Sequence, residues 1–304
     1  MPNTVTIATP RFEGVLTALA TPFHENGSVA YGDLRKLVEY QISKGIDGLV
    51  SVGTTGESPT LDTGEHLEVI AKTVEFAAGR VPVLAGTGSN STDEAVALTR
   101  HADGAGADAF LIVAPYYNKP GPEGLYRHFA KIADCTSKPI VLYSIPGRCG
   151  IEIPVDTAVR LRKTHPHVCA IKEAGGSCDK VSQLVRALDP EYAVLCGDDG
   201  LTLPFVSLGA RGVVSVASNW LPGPVLEMTH LALKGDRIGA LAWHNRLADC
   251  FRQIFVEANP VPIKHLLHLS GIFATSLPRL PLCELSAENR RLIEKLHAAL
   301  HPLA

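Results

Sequence analysis

Short apolar runs alternate with amphipathic stretches over most of the chain. Runs at 14–21, 47–52, 81–86, 107–114, 139–145, 168–172, 192–197 and 212–217 predict eight β-strands. Each is a brief apolar run bounded by turn residues, the pattern of a strand buried on both faces in a parallel sheet.

Between the runs, apolar residues recur at helical spacing. Leu34, Leu37, Val38 and Ile42 follow Gly32, and further helices fit 65–78, 122–134, 155–164, 180–188, 201–208 and 222–233. Another opens at Ser91-Thr92-Asp93-Glu94, which has the form of a capping box. Gly45, Gly79, Gly106 and Gly209 stand where left-handed C-caps belong. Eight strand–helix repeats with short connections predict an α/β fold, a (β/α)8 TIM barrel over residues 1–234, an architecture that takes ~250 residues. A doubly wound sheet is the alternative, but no Gly-x-Gly-x-x-Gly follows the first strand. Gly86-Thr87-Gly88-Ser89-Asn90 is too short for that fingerprint. Beyond Lys234 the strand signal ends, and helical patterns at 237–258, 263–269 and 287–300 predict a small C-terminal helical appendage over 235–304.

Composition narrows the function classes. The chain has 304 residues, is 46% hydrophobic and 19% charged, and carries a net charge of −3, so no nucleic-acid or membrane partner is expected. The first ten residues lack the apolar core of a signal peptide. No apolar run approaches the roughly 20 residues that span a bilayer. Seven scattered cysteines with no Cys-x-x-Cys pair fit packing residues in a reducing compartment, the cytoplasm. His165/His167 and His265/His268 lack cysteine or carboxylate clusters at ligand spacing, so no metal site is expected there.

Candidate chemistry falls just after the strands, where barrels keep their active sites. In His167-Val168-Cys169-Ala170-Ile171-Lys172-Glu173-Ala174-Gly175-Gly176, an apolar run leads straight into a lysine. A poorly hydrated lysine amine can attack a ketone and form a Schiff base; the plainer reading is a lysine snorkelling to solvent or paired with Glu173. Gly53-Thr54-Thr55-Gly56-Glu57 combines successive N–H groups and two hydroxyls, which suits a carboxylate, although a tight turn reads the same way. Tyr116 and Tyr117 lie in a loop bracketed by Pro115 and Pro120 and either pack or deliver a phenol. Tyr143 is the last aromatic of the fifth strand, one unit before Lys172, and a phenol beside an amine can shuttle protons. Arg148 offers a bidentate fork for a carboxylate, or a surface salt bridge. Asp198 and Asp199 raise the idea of a divalent metal; no histidine is near them, and N-capping by Asp199 is the simpler account.

Taken together, the Thr54-Thr55 turn, the Tyr116-Tyr117-Asn118 loop, Leu142-Tyr143 with Pro146-Gly147-Arg148, Ile171-Lys172-Glu173-Ala174, Gly197-Asp198-Asp199 and Asn259-Pro260-Val261-Pro262-Ile263-Lys264 resemble the dihydrodipicolinate synthase family. That family sits in the pyruvate-dependent, Schiff-base aldolase superfamily with N-acetylneuraminate lyase. The resemblance implies condensation of pyruvate, held as an imine on Lys172, with aspartate 4-semialdehyde, on the way to diaminopimelate and lysine. It implies a proton relay of Thr54, Tyr143 and Tyr117, the last reaching into a neighbouring subunit's site. It assigns the pyruvate carboxylate to Thr55, pocket lining to Gly197 and Val214, and the second substrate's carboxylate to Arg148. It further implies no metal or organic cofactor and a homotetramer built from two tight dimers. In some members lysine inhibits through a dimer-interface pocket, whose pattern His66, Asn90, Glu94 and Tyr116 match; Pro59 and Thr63 stand where lysine-sensitive members can differ. The chain departs from the family at Ser144, usually asparagine, and at Cys149, commonly threonine, both beside the loop expected to select the aldehyde.

Two rivals remain on sequence grounds. An aldolase of a sialic acid or 2-keto-3-deoxy sugar acid keeps Lys172 and pyruvate but wants neutral hydrogen-bonding groups in place of Arg148. A non-catalytic sensor of keto acids would have no need of the whole relay.

Overall fold

The computed structural model describes residues 12–304; the segment read as lacking a signal peptide lies outside the described residues. Eight parallel strands close into a barrel in chain order: β1 Gly14–Ala18, β2 Gly48–Ser51, β3 Val83–Gly86, β4 Ala109–Val113, β5 Ile140–Ser144, β6 Val168–Glu173, β7 Ala193–Cys196 and β8 Gly212–Ser215. The last pairs with the first through Leu16↔Val214, which leaves no edge strand. All the strands but β6 are shorter than the apolar runs that predicted them; β6 extends one residue further, to Glu173.

The strands are buried on both faces, which explains why the runs are continuous. Leu16, Val50, Leu84, Leu111, Val141 and Leu195 fill the barrel interior. Their neighbours Val15, Leu49, Val83, Phe110, Leu142 and Val194 face the helical sheath.

That sheath consists of α1 Tyr31–Ser43, α2 Thr63–Ala77, α3 Thr92–Gly104, α4 Pro122–Ala133, the short α5 Pro146–Cys149, α6 Val155–Thr164, α7 Cys178–Ala187, α8 Thr202–Ser207 and α9 Pro222–Leu233. Helices α10 Arg237–Gln253, α11 Val261–Leu269 and α12 Ala287–Leu300 follow. Gly45, Gly79, Gly106 and Gly209 all adopt positive φ, as their C-cap positions require.

Two local expectations differ. The reciprocal capping box forms at Asp62 and Glu65 of α2. At Ser91 only the N-cap bond to the Glu94 amide is made, because the Glu94 carboxylate turns to the Ser89 hydroxyl. Helix α5 was absent from the sequence reading: it is one turn, and it carries Arg148. No helix among the described residues is long and apolar enough to cross a membrane.

Candidate active site

Lys172 lies on β6 and is only 5% exposed. Its inward aim depends on a slip in the pairing of β5 with β6. Ile140 pairs with Val168, but Val141 pairs with Ala170, so β6 holds one extra residue, Cys169. Strict alternation from Val168, which faces the helices, would turn Lys172 outward as well. The extra residue reverses the phase: Ala170 faces the barrel interior, Ile171 the helices, and Lys172 the interior again. The buried hydroxyl of Tyr192 donates to the Ala170 carbonyl at 3.0 Å beside this slip.

Tyr143 and Lys172 are Cα partners, and the Lys172 Nζ lies 4.1 Å from the Tyr143 ring centre. On β7's C-terminal side, Gly197 keeps this space open. A Cβ there would come within 3.1 Å of Lys172 Cε and 2.6 Å of Ala174 Cβ. Val214 is buried on β8 in the same interior cluster as Tyr143. Glu173 points the other way, which removes the pairing with Lys172 considered from sequence. Its Oε1 accepts from the Gly175 amide at 2.7 Å, and Lys180 Nζ on α7 lies 3.1 Å from Oε2. Ser144 belongs to this outer network: its hydroxyl takes Lys180 Nζ at 3.2 Å and the Ile153 amide at 3.3 Å. Ile153 follows directly on the turn that carries Arg148, so the Ser144 hydroxyl ties that segment to α7.

A cavity of about 260 Å³ opens at the mouth, lined by Thr54, Tyr116, Tyr143, Arg148 and Cys149 among others. Lys172, Thr55, Gly197, Val214 and Tyr117 are not among its lining residues. Tyr143 is thus the side chain that joins the cavity to the lysine. Burial pushes the Cys149 thiol up to about 11, so it stays protonated, and it donates to the Ala114 carbonyl at 3.2 Å.

The turn after β2 is held from beneath. Gly56 packs on Val52, where a Cβ would lie 2.9 Å from the Val52 Cα. Glu57 adopts a left-handed φ of 56° and sends its side chain inward to Lys264 of α11, at 2.6 Å. Lys264 is fully buried, and burial pulls its ammonium down to about 8 against the opposing pull of Glu57. The Arg279 amide donates to the second Glu57 oxygen at 2.9 Å, while its guanidinium grips Glu65 with two 2.5 Å bonds. Gly56 and Glu57 donate their amides within the turn, to Gly53 and Thr54. The amides of Thr54 and Thr55 have no protein acceptor among the described residues. Two successive free N–H groups on a rigid turn make an anion seat.

Arg148 is exposed at the rim and donates to the Asn259 carbonyl at 3.4 Å. Tyr117 has a φ of 70°, is 90% exposed and is not among the residues that line the cavity with Tyr116. His66 is buried, its Nε2 2.8 Å from the Gly86 carbonyl, and burial holds its imidazole below the ordinary value. The Asn90 carbonyl accepts from the Asn118 side-chain amide at 2.8 Å.

The aspartates behave differently from expectation. Asp198 makes the short cap, accepting from the Gly200 amide at 3.0 Å. Asp199 is buried and braces the loop after β8, accepting from Ser215 Oγ at 2.5 Å and from the Val216 and Ala217 amides. Its burial pushes its carboxyl above the usual range. No group of three or more His, Cys, Asp or Glu among the described residues is placed to hold a metal ion.

Sequence reasoning assigned no role to Asn259, Lys264 or Arg279. The signal for Lys264 was present: a cation inside Val261-Pro262-Ile263-Lys264-His265-Leu266-Leu267 must find a buried partner. Nothing in the local sequence named Glu57, about 200 residues earlier, as that partner.

Comparison with known proteins agrees with this geometry. A profile of the dihydrodipicolinate synthetase family matches residues 11–300. A 4-hydroxy-tetrahydrodipicolinate synthase of Hydrogenobaculum sp. (strain Y04AAS1) is 47% identical over 283 residues, covering 93% of this chain and 97% of that protein. The crystal structure of dihydrodipicolinate synthase from Aquifex aeolicus superposes with a TM-score of 0.94 at 44% identity, covering 95% of this chain and 98% of that one. The chloride-inhibited enzyme from Acinetobacter baumannii, complexed with pyruvate, superposes with a TM-score of 0.91 at 40% identity over 96% and 98% of the two chains. The barrel, the lysine on its sixth strand and the sequence relationship agree: this chain belongs to the dihydrodipicolinate synthetase family.

Proposed function

We infer that the chain is a Schiff-base-forming lyase that acts as a 4-hydroxy-tetrahydrodipicolinate synthase, condensing pyruvate with aspartate 4-semialdehyde. The observation that carries the mechanism is the buried Lys172 amine set 4.1 Å from the centre of the Tyr143 ring. The amine adds to the keto carbon of pyruvate, and loss of water gives the imine. Removal of a methyl proton gives the enamine, whose terminal carbon attacks the aldehyde. The amino group of the second substrate then attacks the imine carbon, closes the ring and releases Lys172. Every step is an addition, an elimination or a proton transfer, so the scheme calls for no metal or organic cofactor.

Tyr143 supports the role of proton carrier, since it lines the cavity and touches the lysine. Thr54, on the same cavity wall, continues the relay. Tyr117 is exposed and does not line its own cavity, which supports a role in a neighbour's site and hence a dimeric unit within a tetramer. The Thr54 and Thr55 amides and the Thr55 hydroxyl form the seat for the pyruvate carboxylate, and Arg148 at the rim takes that of aspartate semialdehyde. Regulation by lysine would act through Tyr116, which lines the cavity, with Asn90 and Glu94 on the β3–α3 segment and His66 on α2. Unchanged turnover at millimolar lysine ends that part of the reading.

A coupled assay tests the function. Turnover with pyruvate is expected for aspartate semialdehyde and absent for sugar aldehydes. The reverse preference would place the chain with the sugar-acid aldolases, and the exposed cation of Arg148 argues against that outcome.

A further inference from the structure

Asn259 stands just ahead of α11 and is 6% exposed. Its Nδ2 donates to Thr55 Oγ1 at 3.0 Å, and its backbone carbonyl accepts from Arg148 at 3.4 Å. Its Oδ1 is buried with no partner among the described residues. Leaving a buried amide oxygen unpaired carries a free-energy cost, and such a group in a folded protein calls for a reason.

Hydroxyl chemistry supplies one. A threonine hydroxyl has one proton to donate and lone pairs to accept. Because Asn259 occupies Thr55 Oγ1 as a donor, the hydroxyl proton remains available for another acceptor. No protein acceptor among the described residues takes it, and the Thr54 and Thr55 amides are equally free. The result is three donors on one turn and no acceptor.

We propose that Asn259 is a positioning residue for the 2-oxo acid: it fixes the Thr55 hydroxyl as a hydrogen-bond donor toward the substrate carboxylate, and its carbonyl ties that seat to Arg148. This rests on the roles given above to Thr55 and Arg148. Asparagine suits the task where aspartate does not. An ionised aspartate offers only acceptors, so it would claim the Thr55 proton for itself and set a negative charge beside an anionic ligand.

The test uses the full-length enzyme and the variants Asn259→Asp, Asn259→Ala, Thr55→Val and Thr55→Val/Asn259→Ala. Steady-state kinetics are measured with both substrates varied, alongside the pyruvate dependence of borohydride trapping and a thermal melt of each variant. The half-saturating pyruvate in both measurements is expected to rise roughly tenfold or more in Asn259→Asp and by less in Asn259→Ala, whose Thr55 hydroxyl can still turn, with kcat at saturation within about threefold. The double variant is expected to match Thr55→Val, because Asn259 acts through that hydroxyl. An unchanged pyruvate dependence in Asn259→Asp overturns the proposal. So do effects of Asn259→Ala and Thr55→Val that simply multiply in the double variant. Trapping in the unmutated enzyme with unaltered pyruvate dependence in the variants sinks the role of Asn259 alone; no trapping in the unmutated enzyme sinks the underlying reading as well.

Discussion

Tyr143 and Lys172 stand opposite each other on adjacent parallel strands, and the lysine Nζ rests over the tyrosine ring. One contact therefore serves two purposes. The ring covers the Nζ of a side chain that is almost out of water, and the same tyrosine lines the cavity at the barrel mouth.

Tyr143→Phe separates those purposes. The ring stays over the lysine, so the melting temperature should hold within a few degrees. Loss of the proton carrier should lower kcat by about 10²–10⁴-fold, as for a missing general acid–base. Steady-state kinetics beside a thermal melt would decide; undiminished kcat would remove Tyr143 from the relay.

Gly197→Ala tests the space beside the lysine. The new methyl would crowd Lys172 Cε and overlap Ala174 Cβ. The expected outcome is slower pyruvate trapping with a smaller loss of stability, about 1–3 kcal/mol as for other overpacked sites. Trapping at the unmutated rate would show that the chain relaxes around the methyl.

Lys264→Met should cost about 3–5 kcal/mol in denaturant unfolding, because it strands the Glu57 carboxylate in the interior. Adding Glu57→Gln should recover much of that loss. If instead the two losses add, the ion pair is not what holds the turn carrying Thr54 and Thr55.

His128 sets a pH dependence of stability. It is buried on α4 with Nδ1 2.9 Å from the Thr92 hydroxyl, and its Nε2 is an unpartnered buried atom. Burial drops its imidazole to about 4. The folded state therefore keeps it neutral while the unfolded chain takes up a proton below about 6.5. Its contribution is full above that value and is lost as pH falls toward 4, reaching about 3 kcal/mol at 1.36 kcal/mol per pH unit. Melting curves from pH 7 to 4 should flatten in His128→Phe relative to the unmutated protein; identical slopes would contradict this.

How much the sequence revealed follows from how local each cause is. The barrel was legible because a strand buried on both faces leaves a continuous apolar run, and C-cap glycines mark several of the helix ends. Lys172 was legible because it ends such a run, and Tyr143 because it is the last aromatic of the run before it. The inward aim of Lys172 was not, since it depends on Cys169 being an extra residue in the pairing of β6 with β5, which only the partner strand reveals. Glu57 was read as part of a turn, yet it anchors that turn to Lys264 across most of the chain. Ser144 was placed beside the Arg148 loop by its neighbours in sequence, but its bond to Lys180 of α7 was not legible there. Asn259 was visible only as part of a family pattern; its bond to Thr55 joins two loops distant in sequence.

Borohydride reduction in the presence of pyruvate, followed by peptide mass spectrometry, tests the central claim most directly. The prediction is one reduced pyruvate adduct per chain, located on Lys172 and absent in Lys172→Ala. An unaltered mass, or an adduct on any other lysine, would contradict the account.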